Sequence, residues 1–181
     1  MKKEMEQENV KNTVEEKNTV NEPTMSTHEL LISIIKRWGC EYEVEEESDR
    51  IYLKYQGHLF CLDAENNRCM VEICYPQWEE CDLSDIDRFS LYRKLVNKVN
   101  MASSGDIVFY LIDEEEDKVY LFSRRRIVLV PEIPEIDLYL RAMLEGFFIT
   151  KQWFQTELHV RERMEQENRG TIGPDITHAL R

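Results

Sequence analysis

The longest helical pattern in the chain runs from Pro134 to about Glu167, and it is apolar on two opposite sides. At about 100° per residue, the first side carries Ile136, Leu140, Met143, Leu144, Phe147, Phe154 and Leu158. The opposite side carries Leu138, Ala142, Ile149, Trp153 and Val160. A surface helix normally buries a single side. The second side therefore predicts a covering partner: the first helix, the chain ends or another subunit.

Shorter patterns precede this helix. Ser26 and Glu29 have the spacing of a capping box, and the helix that they begin is closed by Gly39. A second helix is predicted from about Ser84 to Met101. Alternating positions predict strands over 42–44, 51–61, 69–75, 107–112 and 119–130. Residues 51–61 form either one strand kinked at Gly57 or a tight hairpin at Gln56-Gly57, and alternation does not separate the two.

The resulting order is α-β-β-β-α-β-β-α. A hairpin within 51–61 would give four strands instead of three before the second helix. Short links between neighbouring strands predict an α+β fold, an antiparallel sheet with helices packed on it. We assign one domain to residues 26–167. Residues 1–25 contain no aromatic residue and predict a disordered tail. Residues 168–181 predict a flexible tail, because glycine and proline interrupt the helical pattern there.

The charge balance excludes two classes of partner. The chain of 181 residues has 23 Lys and Arg against 36 Asp and Glu, a net charge of −13. Such a chain is repelled by phosphate backbones and anionic membranes, so we expect neither nucleic acid nor a membrane as partner. No window approaches the roughly 18 apolar residues of a membrane span. No signal peptide is recognisable at the N-terminus, so we expect a cytoplasmic protein.

Residues that carry chemistry do not converge in the sequence. The four histidines are scattered, and neither Cys-x-x-Cys nor His-Glu-x-x-His occurs. No serine or cysteine stands in a nucleophile motif. The acidic runs 45–47 and 113–117 lack the spacing of a calcium loop. We therefore assign no catalytic residue, no metal ligand and no cofactor, and we do not expect an enzyme.

The five cysteines have irregular spacing, and their odd number favours reduced thiols. Cys61 and Cys69 would lie nearly opposite each other if Asn66-Asn67 closes a regular hairpin. The two would then offer a disulfide, or together with Cys74 a metal site. We expect buried free thiols instead.

The run Arg124-Arg125-Arg126 is the main polar anomaly. Neighbours in a strand point to opposite faces, so Arg125 faces away from Arg124 and Arg126. A fully buried central strand does not tolerate charge on both faces, so the run predicts an edge, a bulge or the end of the sheet. The arginines either pair with the chain's own acidic surface or form an electropositive contact for an acidic partner.

Three segments resemble a known family. They are Arg50 to Phe60 with its internal glycine, Leu95 to Asn100 with its asparagine after apolar residues, and Val119 to Ser123. They resemble the YbjN-like branch, bacterial sensory-transduction regulators, of the type III secretion chaperone-like fold, over about residues 27–165. The long closing helix and the arginine run depart from that pattern. The family has no established enzyme activity, and type III chaperones proper are acidic homodimers that hold an extended client.

The expected function is a non-enzymatic, protein-binding or chaperone-like regulator, assembled as a homodimer and acting on an unidentified protein partner or client. The predicted contact residues are Phe148, Ile149, Trp153, Arg124 and Arg126. The alternative is a small-molecule-sensing module with its pocket between sheet and helices.

Overall fold

The computed structural model of the protein describes residues 25–103 and 105–171. It has three helices: α1 (Thr27–Trp38), α2 (Ile86–Ala102) and α3 (Ile136–Thr171). Its strands are β1 (Tyr42–Val44), β2 (Ile51–Tyr55), β3 (His58–Glu65), β4 (Met70–Asp82), β5 (Ile107–Asp113) and β6 (Lys118–Val128). A short 3-10 turn, Asn66–Arg68, separates β3 from β4. The predicted α+β class is confirmed. Four strands precede α2, whereas the predicted order α-β-β-β-α-β-β-α has three.

The extra strand comes from the turn at Gln56-Gly57. Both residues have positive φ, 49° for Gln56 and 79° for Gly57. Two consecutive left-handed residues make the tight hairpin whose twist matches antiparallel strands. The hairpin alternative is therefore the correct one, and β2 pairs with β3 from Ile51↔Leu62 to Tyr55↔His58.

The sheet is antiparallel, with the strand order β1-β2-β3-β4-β6-β5. One face packs against all three helices, and the fully buried positions of the strands alternate accordingly. This core contains Ile51, Leu53, Phe60, Leu62, Val71, Ile73, Val119 and Leu121. No helix of the described residues packs on the other face, called here the open face. Residues of opposite parity, such as Cys74 and Arg124, therefore point away from the core.

Strand β4 is longer than the sequence predicts. Pro76 does not end it, because the strand continues to Asp82 through an irregular pairing between Tyr75 and Glu79. Trp78 lies at this irregularity, is buried, and donates its indole N–H to Oγ of Ser123 at 2.9 Å. The indole of Trp78 therefore closes this edge of the core. The bulge lets proline occupy a strand without breaking the ladder on either side.

The first and last helices differ in how closely their ends follow the sequence signals. Ser26 caps α1 in a capping box with Glu29, and Gly39 closes that helix in the left-handed region. Helix α3 continues through Gly170 to Thr171, past the predicted stop. The tail predictions for residues 1–24 and 172–181 fall outside the described residues.

Candidate functional site

The second apolar side of α3 is called here the outer side. It consists of Leu138, Ala142, Ile149, Trp153 and Val160. Leu138 is 60% exposed and Ile149 is 69% exposed, whereas Leu144 and Phe147 on the first side are fully buried. Trp153 is half-buried, and Nζ of Lys98 lies 5.7 Å from the centre of its ring. The described residues therefore leave most of the outer side in water.

Phe148 has a different environment from its neighbour Ile149. Its half-buried ring contacts the rings of Tyr55, His58, Phe60 and Tyr75, with centroid distances of 5.0 to 6.4 Å. Clusters of this kind stabilise the packing of a helix on a sheet. Phe148 therefore has a role within its own chain, and Ile149 is the more accessible of the two predicted contact residues.

The β5 edge is the second uncovered surface. Asn100 donates its side-chain N–H to the carbonyl of Val108 and accepts the backbone N–H of Val108, both at 2.8 Å. Val108 therefore directs its backbone away from β6, and strand alternation gives Tyr110 and Ile112 the same outward direction. No described residue bonds to these outward groups of Tyr110 and Ile112. Asn100 thus caps the start of the edge and leaves the rest unpaired.

Apolar side chains accompany this edge. Leu111 is 52% exposed and Ile112 is 46% exposed. On the open face Phe109 stacks on Phe122 of β6 with ring centroids 5.5 Å apart. A strand edge with apolar side chains and free backbone groups is a template for pairing with another strand.

The three arginines divide between the two faces, as predicted. Arg124 and Arg126 lie on the open face, opposite Cys74 and Glu72 of β4. Nε of Arg126 lies 2.7 Å from Oε2 of Glu72. The guanidinium of Arg124 lies 5.6 Å from the ring centre of Phe109, and no described carboxylate pairs with it. Strand β5 begins opposite Arg124, so the run lies where β6 loses one neighbour, at the predicted end of the sheet.

Arg125 points to the helix side and forms a network that the sequence does not reveal. Its Nε donates to Oδ1 of Asp106 at 2.7 Å, and Oγ1 of Thr150 donates to Oδ2 of Asp106 at 2.5 Å. The Asp106 side chain is 1% exposed and that of Arg125 is 14% exposed. Gly146 of α3 makes room, because a Cβ atom there would lie 3.0 Å from Nη2 of Arg125.

A groove, called here the α2–α3 groove, lies above this network. It encloses about 330 Å³ and is lined by Val99, Ala102, Ser103, Asp106, Arg125, Gly146, Ile149, Thr150 and Trp153. The structure thus brings two predicted contact residues, Ile149 and Trp153, to one groove. It does not bring them to Arg124 and Arg126, which lie on the opposite face of the sheet.

A half-buried polar trio links β3, β4 and α3. The phenol of Tyr75 lies 2.9 Å from Nδ1 of His58 and accepts from Nζ of Lys151 at 3.2 Å. Burial, and secondarily the charge of Lys151, lowers the pKa of His58 below 6.5. The lowered pKa favours a neutral imidazole that accepts the phenol proton. Through Tyr75, these hydrogen bonds tie β3 and α3 to β4.

The regular hairpin that would place Cys61 opposite Cys69 is not formed. Cys61 lies opposite Cys74, not Cys69, because the 3-10 turn sets the register Glu65↔Met70. Cys69 follows that turn with φ of 52° and lies outside β3 and β4. All five thiols are free, and burial raises the pKa of Cys74 and of Cys81 to about 11.

The described residues lack the features of a metal site and of a membrane-spanning helix. Residues 25–103 and 105–171 contain no group of three or more His, Cys, Asp or Glu side chains arranged to hold a metal ion. In that part of the chain, no helix combines the length and the apolar character that a bilayer crossing requires.

Comparisons with known proteins give a fold without a family. No protein-family model and no curated protein matches the chain. An uncharacterised protein from Methanothermobacter thermautotrophicus has a similar structure, with 14% identity and a TM-score of 0.51, over 75% of this chain and 98% of that one. YbjN from E. coli, a proposed transcription regulator, aligns with 12% identity and a TM-score of 0.48, over 74% of this chain and 90% of its own.

A structural likeness at 12–14% sequence identity is evidence of a shared fold and not of family membership. The likeness to the Methanothermobacter protein shows a shared fold, which agrees with the α+β prediction. Membership of the YbjN-like family stays a prediction from the sequence.

Proposed function

We propose that this protein is a non-enzymatic regulator that acts by binding protein, and that it binds a second copy of itself through β5. The observation that carries the proposal is the β5 edge, where the backbone groups of Tyr110 and Ile112 lie unpaired beside exposed apolar side chains. Strand addition at such an edge provides main-chain hydrogen bonds and apolar burial together.

The direction of the backbone groups selects one register. Two copies related by a two-fold axis pair β5 antiparallel, with the same residues on each side. The side chain of Asn100 bonds to the outward N–H and C=O of Val108. The outward backbone groups that stay unpaired are therefore those of Tyr110 and Ile112. They bond reciprocally when Tyr110 faces Ile112 of the second copy, which places Leu111 on the axis, opposite Leu111 of that copy.

Charge supports this register at its ends. Asp113, the first residue of the acidic run 113–117, faces Phe109 of the second copy in this pairing. The guanidinium of Arg124 lies over Phe109 and has no carboxylate partner among the described residues. Arg124 of each copy therefore meets the acidic turn of the other. These contacts offset the repulsion between two chains of −13 each, which salt screens beyond about 8 Å.

The outer side of α3 contributes no backbone group to this pairing. Ile149 and Trp153 stay the predicted contacts for a protein partner. A regulator with this arrangement assembles through the sheet edge and presents a helix surface on each subunit.

Light scattering after size exclusion tests the assembly. We expect the wild-type chain to have twice its monomer mass of 21.7 kDa. Leu111→Lys places two ammonium groups on the axis and should give a monomer. Leu138→Lys is the matched control on the outer side of α3 and should leave the dimer intact. A wild-type monomer across a concentration series contradicts the proposal, and so does a dimer that Leu138→Lys disrupts and Leu111→Lys does not.

A further inference from the structure

We propose that the α2–α3 groove binds a small organic carboxylate, with its apolar body in the groove and its carboxylate on Arg125. The inference goes beyond the proposed self-association and does not depend on it. Its basis is the distribution of donors, acceptors and apolar walls around the Arg125–Asp106 pair.

The polar end of the groove offers donors and no free carboxylate oxygen. Both oxygens of Asp106 already accept, Oδ1 from Arg125 and Oδ2 from Thr150. Nη1 of Arg125 contacts only the sulfur of Met143, at 3.3 Å. Among the described residues Nη2 has no hydrogen-bond acceptor, the Arg125 side chain is 14% exposed, and Arg125 lines the groove. An accessible guanidinium edge is the group that binds a carboxylate most specifically.

Ser103 adds a second donor to this end. Its Oγ accepts the backbone N–H groups of Gly105, at 3.4 Å, and of Asp106, at 3.0 Å. The hydroxyl proton has no acceptor among the described residues and is free to donate. A ligand with an oxyanion satisfies Arg125 and Ser103 together. An ammonium ligand would instead face the charge of Arg125.

The walls of the groove determine the rest of the ligand. They are formed by Val99, Ala102, Ile149 and Trp153. Their apolar surface favours a hydrocarbon or aromatic body. Gly146 lets α3 pack closely on the guanidinium at the base of the groove, because a Cβ there would lie 3.0 Å from Nη2. A volume of about 330 Å³ is near the lower limit of ligand pockets, so the ligand is small.

Binding of matched probes to the full-length protein tests the chemical class. Isothermal titration with octanoate and with 3-phenylpropionate covers a flexible and a rigid body. We expect saturable one-to-one binding of at least one acid. The alcohol with the same body should bind about tenfold more weakly, because it loses a charge-assisted hydrogen bond. The matching amine should not bind. Equal affinity for acid and alcohol overturns the carboxylate assignment, and failure of both acids overturns the site.

A substitution at the wall tests the location without disturbing the polar network. Ala102→Trp fills the groove and should weaken binding of the acid about tenfold or more. Ala142→Trp makes the same change at an exposed position of α3 outside the groove and should change binding less than about twofold. Equal effects of the two variants would show that the acid binds elsewhere. Because neither variant changes the β5 edge, this result is independent of the mass measured by light scattering.

Discussion

Nε of Arg125 in β6 lies 2.7 Å from Oδ1 of Asp106, the residue before β5, and Thr150 of α3 donates to the other oxygen of this carboxylate. Removing one partner of a buried ion pair leaves an uncompensated charge. We expect Asp106→Ala to lower the free energy of unfolding by about 3 kcal/mol, measured by urea denaturation.

The exposed ion pair between Glu72 and Arg126 provides a matched control, because its N–O distance is also 2.7 Å. Glu72→Ala should cost less than about 1 kcal/mol, since water solvates the arginine that remains. Equal losses in the two variants would mean that burial of the Arg125–Asp106 pair does not determine its contribution.

The pKa of His58 predicts how stability changes in mild acid. Because burial lowers that pKa in the folded protein below 6.5, the unfolded chain takes up the proton first. The free energy of unfolding should therefore fall as pH drops through 6.5. His58→Gln keeps an acceptor for Tyr75 and cannot titrate, so it should lose less stability than wild type between about pH 7.5 and 5.5. Parallel curves for the two proteins would exclude His58 as the source.

The thiols of Cys74 and Cys81 should resist alkylation. With a pKa of about 11, each has roughly a hundredth of the thiolate that an unperturbed cysteine has near pH 8. Iodoacetamide labelling followed by peptide mapping should show slow reaction of both residues in the native protein and rapid reaction in urea. Rapid native labelling of Cys74 would contradict its raised pKa.

Much of the fold can be predicted from local sequence signals. Ser26 and Glu29 determine the start of α1 and Gly39 determines its end, so the local sequence predicts both directly. The two sides of α3 also follow from helical period alone, and exposed Leu138 and buried Leu144 agree with it. Such features need no knowledge of distant residues.

Features that join distant residues could not be predicted in this way. Cys61 pairs with Cys74 because one left-handed residue, Cys69, ends the turn, and alternation gives no sign of that conformation. Asp106 lies 19 positions from Arg125 and 44 from Thr150, so only the folded chain brings them together. Gly146, a glycine in the middle of α3, is a local sign that another group packs closely against the helix at that position.

Disulfide trapping at the proposed two-fold axis tests the central claim most directly. In the proposed register, Leu111 faces its own copy as a non-hydrogen-bonded pair, with Cα atoms about 4.5 Å apart, within the range of a disulfide. Oxidised glutathione should convert Leu111→Cys into a covalent dimer of twice 21.7 kDa. Wild type and Leu138→Cys should remain uncrosslinked. Absence of the Leu111→Cys dimer, or equal crosslinking of Leu138→Cys, would contradict assembly through β5.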